Sequence, residues 1–351
     1  MIKGLSRDRL DELDRIFSGA SSAVISTHAH PDGDAMGSSL ALTRYLLSRG
    51  LDVRVILPDP CPETLSFIID GSLSPLVLTE SGDIRTALNN ADLLISIDYN
   101  SPHRTDALEE PIRSFKGVKV LIDHHISPEE SFYDLIFSKE DISSSCELLY
   151  NVLLGMEDID GKAERLGVET GTALLLGMTT DSNNFANSTY PSTLEMAGEL
   201  IAAGVDRDAL LEKLYNRYRE NRFRFMGYFL SEKLKITPEG VAYAVLSSDE
   251  IRRFDIRDGE TEGFVNIPLG IEKVRMSLLL KEEETHEKMR VSIRSKKGTS
   301  ANRFASAYFN GGGHEQASGG RLMMPSEVSS AKEAEEYIIR CAGEFFSKEQ
   351  K

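Results

Sequence analysis

Residues 21–34 read Ser-Ser-Ala-Val-Ile-Ser-Thr-His-Ala-His-Pro-Asp-Gly-Asp, a β-branched apolar run that opens at once into two histidines and two aspartates. Three later runs share its character: DVRVIL at 52–57, DLLISI at 92–97 and VKVLI at 118–122. Near-continuous apolar runs of this length mark strands buried on both faces. Between them lie helical patterns such as 38–48, where Leu40, Tyr45 and Leu47 sit among good helix formers. This βαβα rhythm predicts an α/β fold, with a mostly parallel sheet flanked by helices. The glycines of PDGDAMG are expected to allow a tight strand-to-helix turn that points both aspartates at the sheet rim.

Before the first strand, Leu10, Leu13, Ile16 and Phe17 recur at helical spacing among charged residues, an amphipathic helix rather than a secretory leader. A helix-rich stretch covers roughly 141–204. Residues 206–234 then read as one long helix, with Leu211, Leu214, Tyr218, Phe225 and Phe229 along it and Arg217, Arg219, Arg222 and Arg224 between them. Basic residues mixed with aromatics can bind single-stranded nucleic acid. Helical spacing favours an amphipathic connecting helix with solvated arginines. Strand-like runs resume at 241–247, 275–281 and 288–295, and a helix over 328–348 closes the chain. The expected division is 1–204, a connecting helix over 205–236, and a smaller α/β domain over 237–351.

Forty Lys and Arg against fifty-six Asp and Glu give the 351-residue chain a net charge of −16. That balance excludes a long nonspecific grip on duplex nucleic acid, which needs a basic surface. Nothing approaches 18 consecutive apolar residues, so no membrane partner is expected. Cys61, Cys146 and Cys341 are widely spaced and match no metal-binding pattern, which reads as reduced thiols in a cytoplasmic protein.

The chemistry follows from where acids and histidines fall. His28, Asp32 and Asp34 follow the first run, Asp98 the third, and Asp123, His124 and His125 the fourth. Asp181 follows the apolar helix-like run LLLGMTTD. In an open α/β sheet, ligands bind beyond the carboxyl ends of the strands. Singly, an Asp at a strand end is an ordinary cap or turn residue. Four segments converging on one rim are not ordinary. Converging carboxylates without countercharge repel and hold protons, and divalent cations resolve the conflict. Mixed imidazole and carboxylate ligands suit Mn²⁺, Fe²⁺ or Zn²⁺ better than Ca²⁺.

From Lys288 to Arg303 the second domain carries six basic residues and no acid. Arg294 ends an alternating strand, where a guanidinium can take a phosphate bidentately. Gly311-Gly312-Gly313-His314 lets backbone N–H groups approach an anion closely.

On these residues the sequence resembles the DHH phosphoesterase superfamily. His28-Ala-His-Pro-Asp32-Gly-Asp34 looks like its first motif, Asp98 its second, Asp123-His124-His125 the motif that names it, and Asp181 its fourth. The second domain resembles the DHHA1 substrate-binding domain, with GGGH as its hallmark. The compact two-domain form is similar to the nanoRNase/pAp phosphatase group, whose homologues also carry the label exopolyphosphatase-related. The resemblance implies two Mn²⁺, with Mg²⁺, Co²⁺ or Fe²⁺ as alternatives. His28, Asp32 and Asp98 would hold one ion, and Asp34, Asp98, His124 and Asp181 the other. His125 would face the phosphate, with Asp123 orienting the histidine pair. Arg294, Ser295, Gly312, Gly313 and His314 would contact substrate; on the bare sequence Arg104, shortly after Asp98, reads either as a further phosphate contact or as a surface residue. The implied activity is that of a two-metal phosphodiesterase and phosphomonoesterase. It would act on RNA or DNA oligonucleotides of two to five residues and on 3′-phosphoadenosine 5′-phosphate (pAp), held at its far end by the second domain. Alternatives are a linear or cyclic dinucleotide phosphodiesterase, an exopolyphosphatase or pyrophosphatase, and, outside the enzymes, a nucleotide-binding regulatory module. A homodimer stays open.

Overall fold

The four apolar runs are strands in the computed structural model, which describes residues 5–283 and 285–349. The chain ends named in the expected domain limits lie outside those residues. Two compact units divide between Arg217 and Tyr218. The first contains, in order, α1 (Arg7–Gly19), β1 (Ser22–Ser26), α2 (Gly33–Ser48), β2 (Asp52–Ile56), β3 (Val77–Leu78), α3 (Ser81–Asn90) and β4 (Leu93–Ile97). It continues with α4 (Glu109–Arg113), β5 (Val118–Asp123), β6 (Leu135–Ser138), α5 (Ser145–Leu154), α6 (Val168–Asp181), α7 (Pro191–Ala202) and α8 (Arg207–Tyr215).

The described strands of this unit form one parallel sheet in the order β3-β2-β1-β4-β5-β6. Chain direction along the order reverses between β1 and β4, which places a crevice at their carboxyl ends. Alternation across the strands builds two cores. Ala23, Ile25, Val53, Ile95 and Ile122 pack with α1, α2, α5 and α6. Val24, Ile56 and Leu94 pack on the other side with Ile84 and Leu88 of α3 and Ile112 of α4.

The second unit contains α9 (Glu220–Tyr228), β7 (Lys235–Ile236), β8 (Val241–Leu246), α10 (Ser248–Arg253), β9 (Met276–Glu282) and β10 (Lys288–Ser295). After these come α11 (Ala301–Tyr308), β11 (Gly312–Gly313), β12 (Ala317–Met323) and α12 (Ala331–Glu349). Its sheet runs β11-β12-β10-β9-β8-β7, with β8 and β9 parallel and the other neighbours antiparallel. Met289, Val291 and Ile293 of β10 face a core completed by Phe304, Phe309 and the apolar side of α12.

The single helix expected over 206–234 is two helices. The first ends at Tyr215, the second starts at Glu220, and a π-helical turn follows over Phe229–Lys233. Arg219 is extended at the break, and its guanidinium bonds Glu260 and Asp255. Arg222 is buried, donates to the Glu262 carbonyl and lies 3.8 Å above the Tyr218 ring. Arg222 is therefore not solvated, and Arg219, partly exposed, is held in ion pairs. Both are engaged in contacts within the second unit.

Candidate functional site

The loop after β1 delivers His28 and Asp32, and helix formation then sets Asp34. α2 starts at Gly33, five residues before the helical pattern becomes apparent in the sequence. Asp32 is its N-cap, with Oδ1 accepting from the N–H groups of Asp34 at 2.9 Å and Ala35 at 3.1 Å. The cap uses one oxygen, and Oδ2 lies 3.9 Å from His28 Nε2. Asp32 is thus both a helix cap and a site residue. Nδ1 of His28 meets the Ala29 carbonyl at 2.8 Å. A carbonyl only accepts, so Nδ1 carries the proton and Nε2 keeps its lone pair toward the carboxylates.

The glycines here do a different job from the one expected. Gly33 and Gly37 have no left-handed backbone; they permit contact. A Cβ on Gly33 would stand 2.3 Å from Thr180 Oγ1, and one on Gly37 would stand 2.4 Å from the Ala173 carbonyl oxygen. On the facing helix, a Cβ on Gly177 would lie 2.7 Å from Asp34 Oδ1. Small residues on both sides let α2 and α6 approach closely, and Asp34 sits in that contact.

Asp98 follows β4 with a left-handed φ of 65°, its N–H tied to the Ile122 carbonyl. Its Oδ2 is 3.5 Å from His28 Nε2 and its Oδ1 is 3.6 Å from His124 Nε2. The same His124 nitrogen is 3.5 Å from Asp181 Oδ2, at the last residue of α6, and 3.9 Å from Asp34 Oδ2. Ligand atoms of His28, Asp32 and Asp98 all lie within 4.8 Å of one another, and so do those of Asp34, Asp98 and His124. Asp98 belongs to both trios. Asp98, Asp123 and His125 also converge, but Nδ1 of His125 donates to Asp123 Oδ1 at 2.7 Å. That short bond makes the last two an oriented hydrogen-bonded pair.

Burial first, then the charges of Asp98 and Asp32, push the Asp34 carboxyl well above its ordinary range. Burial, followed by Asp32, Asp181 and Asp123, does the same to Asp98. Two shared trios of imidazole and carboxylate, too crowded with negative charge to ionise together unaided, fit a pair of divalent cations.

Sequence reasoning missed the N-terminus of α5. Ser145 N–H donates to Asp34 Oδ2 at 2.7 Å, Cys146 N–H to Asp34 Oδ1 at 2.9 Å, and Ser145 Oγ to Asp98 Oδ1 at 2.9 Å. The available signal was Ser144-Ser-Cys-Glu147, the spacing of a helix-start capping box.

Arg104 lies in the 3₁₀ segment after Asp98, and its carbonyl accepts from Ala29 N–H at 2.8 Å, beside His28. Its half-buried guanidinium has no hydrogen-bond or ion-pair partner among the described residues.

In the second unit, Arg294 pairs across to Ala317 and Gly313 to Ser318, which puts Arg294, Gly312, Gly313 and His314 at one end of the sheet. Arg294 alternates with the core residues Met289, Val291 and Ile293, so it lies on the less buried face. Ser295 is buried, and its hydroxyl donates to the Thr299 carbonyl at 2.6 Å, closing the turn after β10. The Gly311 to His314 loop is held by Asn302 Nδ2 on the Gly313 carbonyl and by His314 N–H on the Ala317 carbonyl. Its glycines are not equivalent. A Cβ on Gly311 would lie 1.9 Å from the Gly319 oxygen, and Gly313 has a φ of 140° with Ala317 O 2.7 Å from a Cβ. Gly312 has nothing within 4 Å.

Residues 22–178 match the family model described as "DHH family, N-terminal domain", and residues 239–340 match "DHHA1 domain". The chain is 30% identical over 305 residues to the Bifunctional oligoribonuclease and PAP phosphatase NrnA of Thermus thermophilus, covering 85% of this chain and 83% of that one. It is 29% identical over 318 residues to the protein of the same name from Bacillus subtilis, at 89% and 92% coverage. Among solved structures, an exopolyphosphatase-related protein from Bacteroides fragilis superposes with a TM-score of 0.89 at 31% identity, over 100% of both chains.

Proposed function

The chain belongs to the DHH family of phosphoesterases, with a DHHA1 domain after its DHH domain, and on that footing we propose that it hydrolyses oligonucleotides of two to five residues to mononucleotides and dephosphorylates pAp. The single observation that carries the reading is the pair of three-residue clusters meeting at Asp98. Similarity to proteins named for both activities, along nearly their full length, supports the substrate class.

In this reading His28, Asp32 and Asp98 hold one divalent ion, and Asp34, Asp98, His124 and Asp181 the other. Two such ions supply activation of a water and neutralisation of phosphoryl charge. The chain's own residues do the rest. The Ala29 carbonyl fixes the His28 tautomer, and Asp123 fixes the His125 ring so that its Nε2 is presented to a phosphoryl oxygen or leaving oxygen. Arg104, whose carbonyl accepts from Ala29 N–H, would add a phosphate contact from the segment after Asp98. In the DHHA1 domain, Arg294, Gly312, Gly313 and His314 take the distal phosphate or nucleotide, and Ser295 holds the turn that sets Arg294.

The test is hydrolysis of a labelled dinucleotide, a long single strand and pAp, with Mn²⁺ and with chelator. Release of mononucleotides from the dinucleotide, much faster than from the long strand and abolished by chelator, is the expected result. Equal rates on both lengths, or no cleavage of the dinucleotide with Mn²⁺, overturns the proposal.

A further inference from the structure

We propose that Ser145 is a positioning residue that sets Asp34 and Asp98 for the ion they share, an inference that rests on the two-ion reading above. Ser145 hydrogen-bonds both carboxylates. It reaches across 111 residues to Asp34 through its backbone N–H and across 47 residues to Asp98 through its hydroxyl.

The local sequence builds this grip. Ser144 caps α5, its hydroxyl accepting from Glu147 N–H at 3.0 Å. Glu147 answers by accepting from Ser143 N–H at 3.1 Å and from Thr193 Oγ1 at 2.7 Å. The Ser143–Ser145 run is therefore fixed on both sides of the cap before it meets the aspartates. At the helix start, the N–H groups of Ser145 and Cys146 have no intrahelical partner, and the helix dipole favours an anion there. Asp34 fills that place, with one oxygen on each N–H.

The kind of donor matters. Asp34 and Asp98 are buried to 1% and 2% exposure, and the hydrogen bonds here come from neutral groups. A lysine or arginine in the same place would neutralise the carboxylates and compete with a metal ion. A hydroxyl and two amides orient the oxygens while leaving the negative charge for the cation. Asp98 needs such support, because its left-handed backbone is a sparsely populated conformation for a residue with a side chain.

The experiment is Mn²⁺ titration of the metal-free full-length chain by calorimetry, comparing wild type with Ser145→Ala, Ser145→Cys and Ser145→Thr. Residues that orient metal ligands typically alter affinity 10- to 100-fold. Ser145→Ala is expected to weaken one of the two Mn²⁺ sites at least tenfold and leave the other near its wild-type affinity. Ser145→Cys keeps the volume with a weak donor and should behave similarly, which covers a fold failure of the alanine variant. Ser145→Thr keeps the hydroxyl and should restore affinity to within a few-fold. Wild-type affinities in folded Ser145→Ala and Ser145→Cys overturn the role of Ser145 and leave the two-ion reading standing. A wild type that binds no Mn²⁺ overturns the two-ion reading itself, and with it the inference.

Discussion

Gly312→Ala, set beside Gly311→Ala and Gly313→Ala, separates a glycine required by a ligand from glycines required by the fold. At Gly311 a methyl would stand 1.9 Å from the Gly319 carbonyl oxygen and 2.6 Å from the Gly320 Cα, both backbone atoms of the paired strand. β11 must shift from β12, an overpacking cost of about 1–3 kcal/mol at the least. At Gly313 the methyl meets Ala317 O at 2.7 Å, and the φ of 140° adds backbone strain of order 1–3 kcal/mol. Together these give about 2–6 kcal/mol. At Gly312 there is open space and ordinary backbone, so the same change should stay within about 0.5 kcal/mol of wild type or stabilise slightly. Its effect should fall on activity. A methyl over the backbone N–H groups blocks close approach of an anion, and losing one hydrogen bond to a charged group costs about 1.5–3 kcal/mol, roughly 10- to 150-fold in kcat/KM. Urea unfolding followed by circular dichroism, with kcat/KM on a dinucleotide, reads both quantities. Gly312→Ala with wild-type turnover would refute the anion cradle. Gly312→Ala unfolding as readily as Gly313→Ala would refute the geometry from which these costs are worked.

Asp98→Ala removes a group from both clusters, so kcat on a dinucleotide should fall at least about 10³-fold, equivalent to several kcal/mol of charge stabilisation; it should be the most damaging of the ligand changes, and retained turnover would sink the shared-ligand arrangement. Arg294→Ala should lose roughly 10- to 150-fold in kcat/KM on a dinucleotide, remain nearly normal on a small chromogenic phosphodiester, and keep its metal content by elemental analysis. Hydrogen bonds from Arg113, then from Ser101, hold the Glu129 carboxyl down at about 2. A depressed carboxyl contributes stability above its unfolded value of 4.5 that is lost as pH falls toward about 2. Glu129→Gln should therefore be destabilised at pH 7 in urea, with the gap from wild type closing between pH 4.5 and 2.

The sequence by itself determined the strands that are buried on both faces and the acids that follow them. Such strands can use little but apolar residues, so 21–27, 52–57, 92–97 and 118–122 stand out without any knowledge of neighbours. In a parallel sheet all carboxyl ends lie at one edge, so residues just after the runs fall along that edge whatever the strand order. That is why the histidines and aspartates of the site were legible. Short edge strands were not, β3 having two residues and β6 four, and neither was the interior strand β12, whose two glycines dilute its pattern. The break between α8 and α9 was equally hidden, because it is made by Arg219 reaching Glu260, 41 residues away. Tertiary structure alone decided that β1 and β4 are neighbours, which sets His28 against Asp98. It also brought the start of α5 to Asp34 and Asp98. Periodicity reports only which side of an element is buried, whereas a hydrogen bond across 111 residues depends on how whole elements pack, and nothing in either local pattern names its partner.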